Sequence, residues 1–309
     1  MKLAIFSLAL LLWVPALSGQ ARLSPRLRAG QSLVYRIEFS SSRETRTESR
    51  VVAPQVSPSS SLNASVVLQV HVVEADAAGV RLETYLSQNP RGRPPAAGDH
   101  SDSQEPATDK RVDLFITPDG RASQVKGLKE LSAAQQFAWN AWLGRFASSM
   151  TYPKTGIRPH RRWESTEDEP SPSPIAGLKW TKKHQYVRDE ACPAAPLGPD
   201  AKARPAPRES CAVIFVDAIL RQTSSPRNST PPDFKLQSLA TRGTAHGQNQ
   251  TVLYISKSTG LLVRSIEDAR QAMDVVVALA DGSNEVHYNM TAKSHSQVEL
   301  LPDSPQDIR

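Results

Sequence analysis

Residues 252–266 read VLYISKSTGLLVRSI. Two apolar runs, Val252–Ser256 and Leu261–Ile266, flank the turn residues Ser258-Thr259-Gly260. Turn chemistry between two such runs specifies an antiparallel hairpin. The same pattern extends over the last hundred residues. Phe234–Thr241, Gln271–Leu279, Val286–Ala292 and Val298–Leu300 read as strands, and Asp281-Gly282 as a second hairpin turn. No fixed-period repeat is visible.

Working back towards the N-terminus, alternation with a period of two recurs. Leu33, Tyr35, Ile37 and Phe39 alternate with Val34, Arg36 and Glu38; Val66, Leu68, Val70 and Val72 form another apolar face. Val80 and Leu82 open a third strand, and Val112, Leu114 and Ile116 make a fourth that ends at the turn Pro118-Asp119-Gly120. Trp180, His184 and Tyr186 lie in one further strand, and Val213, Phe215 and Ile219 in another. The expected fold class is therefore mainly β: a curved antiparallel sheet, a half-open β-barrel, with one helix packed on it. A sheet with one apolar face must cover that face.

The helix is expected where Ser132 and Gln135 make a capping box. Trp139, Trp142, Leu143, Phe146 and Met150 then recur on one face, and Tyr152-Pro153 closes the element. This stripe has two readings. One is core packing against the sheet. The other is a ligand groove in which Trp139, Trp142 and Phe146 meet an apolar molecule.

Polar stretches separate these elements. Ser40 to Ser61 reads as a long polar hairpin or loop, and residues 87–110 as a disordered insertion that cannot bury enough surface to order. From Arg158 to Pro174 basic and acidic residues neutralise each other on a solvated loop, with Trp163 as its anchor. A second insertion at 193–210 lies inside a hairpin, and its two cysteines, Cys192 and Cys211, flank it as a disulfide staple.

The first residues form a three-part export signal: Met1-Lys2, an apolar run from Leu3 to Leu17, then small residues to Ala21. The domain plan is thus residues 1–21 as signal peptide, 22–302 as a single β-rich domain, and 303–309 as a frayed tail. The expected location is periplasmic or secreted, with no membrane-spanning segment after cleavage and export that permits the disulfide. With 37 basic and 31 acidic residues, a net charge of +6 is mild, and the charges are scattered. Nucleic acid is not an expected partner.

The chemistry of the chain is sparse. Seven histidines show no metal spacing, and no H-E-x-x-H, nucleophile elbow or phosphate loop occurs. No cofactor, metal or catalytic residue is expected, and the chain reads as non-enzymatic. A hydrolase would need a cleft where His184 or His287 meets a carboxylate.

The C-terminal third, from Gly243 to Gly247 through Val252–Ile255 and Ser258–Leu262, resembles secreted or periplasmic half-barrel envelope proteins, the class that includes the lipoprotein carriers LolA and LolB. The resemblance implies an envelope protein that binds or carries a hydrophobic ligand such as a lipid or acyl chain. The alternative is a scaffold with an envelope protein partner. No lipid-contact residue carries over.

Overall fold

The computed structural model describes residues 23–49, 55–88, 110–153, 156–169, 173–193 and 209–302. The expected signal peptide, the tail, and nearly all of both expected insertions lie outside the described residues.

Eleven strands form one antiparallel sheet: β1 (Ser32–Ser49), β2 (Gln55–Ala75), β3 (Val80–Gln88), β4 (Lys110–Ile116), β5 (Ala122–Lys126), β6 (Arg162–Asp168), β7 (Leu178–Ala191), β8 (Ser210–Gln222), β9 (Leu239–Ser256), β10 (Leu262–Leu279) and β11 (Val286–Leu300). Their order is β5-β4-β3-β2-β1-β11-β10-β9-β8-β7-β6. Consecutive strands lie side by side within β1–β5 and within β6–β11, and β1 pairs with β11 to join the two meanders. The sheet is not closed: β5 and β6 are its two edges.

Helix α1 (Ala133–Met150) lies between β5 and β6 in sequence and covers the inner face of the sheet. Its N-terminus carries the expected capping box. Ser132 Oγ accepts from the Gln135 amide at 3.3 Å, and Gln135 Oε1 accepts from the Ser132 amide at 2.9 Å. The sheet curls around this helix. In a flat sheet β3 and β6, eight spacings of ~4.8 Å apart, would be separated by ~38 Å. Yet Trp139 Nε1 donates to Thr84 Oγ1 on β3 at 3.1 Å, and Ser148 Oγ donates to Glu167 Oε1 on β6 at 3.2 Å. Residues 139 and 148 are only ~14 Å apart along a helix axis, a difference that side-chain reach does not make up.

Two apolar clusters fill the inner face. The larger joins α1 to β1–β4 and the near ends of β7–β11 through Trp139, Trp142, Phe146, Tyr35, Leu68 and Ile214, among others. The smaller lies further along β7–β10, at Trp180, Ala218, Leu220, Ala245 and Val275.

Of the two readings of Ser40 to Ser61 the structure has the hairpin: Ser40–Ser49 and Gln55–Ser61 are strand, and β1 pairs continuously with β11 from Tyr35 to Ser49. Ladder pairing holds these largely polar residues extended. Other expectations need correction. Arg162–Asp168 is the edge strand β6, with Trp163, Ser165 and Glu167 facing inwards and the charges between them exposed. The short β5 has no buried face to announce it. Pro232–Leu236 forms a second helix, α2, where a strand from Phe234 was expected; Pro232 at its first turn favours it. The separate C-terminal strand candidates merge into the long β9, β10 and β11.

Cys192 and Cys211 form the expected disulfide. It closes a span of 19 residues at the base of the β7–β8 hairpin. A bridge over a loop of this size contributes about 3 kcal/mol by restricting the unfolded chain.

Candidate functional site

The strands place alternate side chains inwards, and at about one level on β6, β7 and β9–β11 those side chains turn polar, while β8 keeps Val216 and Ala218 there. Register fixes the alignment. Ser165 of β6 lies opposite Lys182 of β7, and Glu167 opposite Trp180. His184 and Lys182 lie opposite Val216 and Ala218 of β8. Thr251 of β9 pairs with Glu267 of β10, which pairs in turn with Ser296 of β11. This belt of polar side chains separates the two apolar clusters.

Helix α1 faces the belt with a different side from the one that carries its aromatic stripe. A cavity of about 260 Å³ lies between them. Asn140, Ala141, Gly144, Arg145 and Ser148 form its helical wall. Lys182, Glu167, Glu169, Glu267, Thr251 and Gln271 supply polar groups from the sheet. Val216, Ala218, Leu253 and Ala269 supply an aliphatic wall, beside Trp180 and Tyr152. Asn140 and Gly144 are exposed and mark its rim.

Arg145 enters the belt from the helix and is 7% exposed. Its Nη2 lies 3.1 Å from Glu267 Oε1 and donates to Ser296 Oγ at 2.5 Å, and its Nη1 donates to the Ala141 carbonyl. Thr251 Oγ1 donates to the other Glu267 oxygen at 3.1 Å. Burial pushes the Glu267 carboxyl up. Arg145, then hydrogen bonds from Asn249 and Thr251 and the charge of Lys182, outweigh it and hold the group below its ordinary value. A second pair stands beside the first: Lys182 Nζ donates to Glu167 Oε2 at 2.6 Å. Trp180 Nε1 donates to Glu169 Oε2 at 2.6 Å.

His184 is 3% exposed, stacked on Trp163 with ring centroids 4.9 Å apart and met edge-on by Tyr152. Burial, helped by Lys182 and opposed by Glu167, pushes its pKa down to about 4. Its Nε2 lies 3.0 Å from Ser165 Oγ, a spacing that a nucleophile and its base also show. The rest of that apparatus is missing. Nδ1 has no hydrogen-bond partner to orient the ring, and an imidazole held near pKa 4 is a weak base at neutral pH. His287 does meet a carboxylate, Asp274 at 2.8 Å, but both lie exposed on the outer face of β10 and β11. Among the described residues no group of three or more His, Cys, Asp or Glu side chains is arranged to hold a metal ion.

Trp139, Trp142 and Phe146 lie in the larger apolar cluster, at 1%, 0% and 1% exposure. Trp142 stacks on Phe146 at 4.9 Å and lies 6.2 Å from the Tyr35 ring. None of the three lines the cavity, which is reached from the neighbouring helix positions. The residues that do form it, Arg145, Lys182, Glu167 and Glu267, were not singled out from sequence. The readable signal was a charge at an inward-facing position: Arg145 follows Trp142 by three residues and so falls on the buried side of the helix.

No family model and no curated protein matches the chain. Among solved structures it is similar to the outer membrane protein OprG from Pseudomonas aeruginosa, at 8% identity over 92% of this chain and 100% of that one, with a TM-score of 0.20. It is also similar to Ail, the attachment invasion locus protein of Yersinia pestis, at 7% identity over 87% of this chain and 99% of that one, with a TM-score of 0.10. Neither is a LolA- or LolB-type carrier, and the resemblance read from the C-terminal third is corrected. Its marks report local geometry instead. Gly260 has φ +72°, the left-handed conformation that the β9–β10 turn needs, and any antiparallel hairpin of this type calls for such a residue.

Proposed function

We propose that this chain is a non-enzymatic envelope protein that binds a small amphiphilic molecule in the cavity between α1 and the inner face of β6–β11. One observation carries the reading: the cavity lies where the inner face changes from aliphatic to charged, so its two walls differ in kind. Val216, Ala218, Leu253 and Ala269 suit the apolar part of a ligand, and the Arg145–Glu267 and Lys182–Glu167 pairs suit its polar part. At about 260 Å³ the space falls just below the ~300–1,000 Å³ typical of small-molecule sites. A short amphiphile fits it better than a bare long acyl chain.

Native mass spectrometry tests this on protein purified from the exported fraction without detergent. The expected result is an added mass that organic extraction removes. Ala269→Trp, which places an indole against the aliphatic wall, should fold with an unchanged circular dichroism spectrum and carry no added mass. A bare mass in the unaltered protein, or equal added mass in the variant, contradicts the proposal.

A further inference from the structure

Resting on that reading, we infer that the ligand is uncharged where it meets the belt and presents neighbouring hydroxyl groups, as a polyol head does. Every charged side chain of the cavity wall already has a partner within the protein. Arg145 spends both terminal nitrogens of its guanidinium on Glu267, Ser296 and the Ala141 carbonyl, and its buried Nε keeps one N–H without a partner. Lys182 is held by Glu167, whose other oxygen accepts from Ser148. Glu267 accepts from Thr251 besides Arg145, and Glu169 accepts from Trp180. His184, pushed down to about 4, is neutral at neutral pH.

An ionic head must therefore break one of these pairs or enter a partly dry space without a countercharge. Removing one partner of a buried pair costs far more than removing an exposed one. What the wall still offers is mixed hydrogen bonding. A carboxylate has about four lone-pair sites and an ammonium three hydrogens, so Glu167 and Lys182 each retain capacity after their mutual bond. The amide of Gln271 and the hydroxyl of Ser294 line the same space. Donors and acceptors in close alternation match vicinal hydroxyls, each of which both donates and accepts. Three carboxylates (Glu167, Glu169, Glu267) against two cations (Arg145, Lys182) leave the wall with one net negative charge. That favours O–H donors and works against anionic heads.

The test uses three probes with the same eight-carbon chain and different heads: 1-octanoylglycerol, octanoate and octylammonium. Each is titrated calorimetrically into the intact protein at pH 7.5. 1-Octanoylglycerol should bind roughly tenfold or more tightly than either ion, a conservative discount of the cost of breaking a buried pair. Glu167→Gln is nearly isosteric at a half-exposed side chain, and it frees Lys182. Octanoate should then gain roughly tenfold relative to 1-octanoylglycerol. Either ion binding as tightly as 1-octanoylglycerol, or no gain for octanoate in Glu167→Gln, overturns the inference and leaves the binding reading standing. If none of the three probes binds, both fall.

Discussion

Arg145→Met should destabilise the protein by about 3–5 kcal/mol, the usual cost of stranding one member of a buried ion pair. The guanidinium is almost wholly buried, and its removal leaves the Glu267 carboxylate with Thr251, Asn249 and the weaker pull of Lys182, but without its paired countercharge. The double variant Arg145→Met/Glu267→Met should regain most of the loss, because apolar groups of similar volume replace a buried pair at little net cost. Urea unfolding with a common m-value is the readout. The pH dependence supplies an independent check. In the intact protein Glu267 is held below its ordinary value of 4.5. The pair therefore contributes fully above the unfolded carboxylate range and is lost as pH falls through the folded value. In Arg145→Met the largest influence opposing burial is gone and Glu267 rises, so the deficit relative to the intact protein should shrink on acidification below about pH 4.5. A deficit that is small at neutral pH, or that does not change with pH, would show that Arg145 is solvated and not a member of the belt.

The second large effect belongs to His184. Its folded pKa of about 4 lies below the ordinary ~6.5 of an unfolded histidine. Between these values the unfolded chain binds the proton and the folded chain does not. Stability is therefore complete above about pH 6.5 and falls as pH drops towards 4, by roughly 2 kcal/mol at pH 5. His184→Gln, whose side chain does not titrate, should unfold with a correspondingly flatter dependence between pH 7.5 and pH 5. Equal pH dependence in the two proteins would mean that the imidazole accepts its proton within the fold, and that the stack on Trp163 does not exclude water.

Both effects come from side chains that the sequence half revealed. The core of the fold was legible wherever a strand buries one face and exposes the other. Leu33–Phe39, Val66–Val72 and Val112–Ile116 alternate cleanly, and their apolar members lie in the larger cluster beside the aromatic stripe of α1. The capping box at Ser132 located the start of that helix. The far arms of β1 and β2 were legible only as a polar hairpin or a loop because they carry few apolar residues, and ladder pairing, β1 with β11 and β2 with β1, holds them extended. β6 was hidden for a related reason: Glu167 faces inwards, so its strand lacks the apolar alternation that marks a buried face.

The cavity lay beyond a strand-by-strand reading for a different reason. Lys182, Thr251, Glu267 and Ser296 each look like an isolated polar interruption. Only the register of β7–β11 shows that Thr251, Glu267 and Ser296 stand at one level with His184, one inward position from Lys182, and only the curl of the sheet brings Arg145 of α1 to meet them. Of the two readings of the aromatic stripe, core packing against the sheet is the one its burial matches. Trp139, Trp142 and Phe146 are the most conspicuous residues of α1, yet the sheet takes them up as core, and the helix positions between them form the cavity wall.

Whether the belt and the helix enclose a binding site is decided by a crystal structure of the exported protein purified without detergent. Electron density for a small non-protein molecule is expected between Arg145 and Lys182 on one side and Leu253 and Ala269 on the other. A cavity closed by its own side chains, or filled by ordered water alone, would contradict a binding site there.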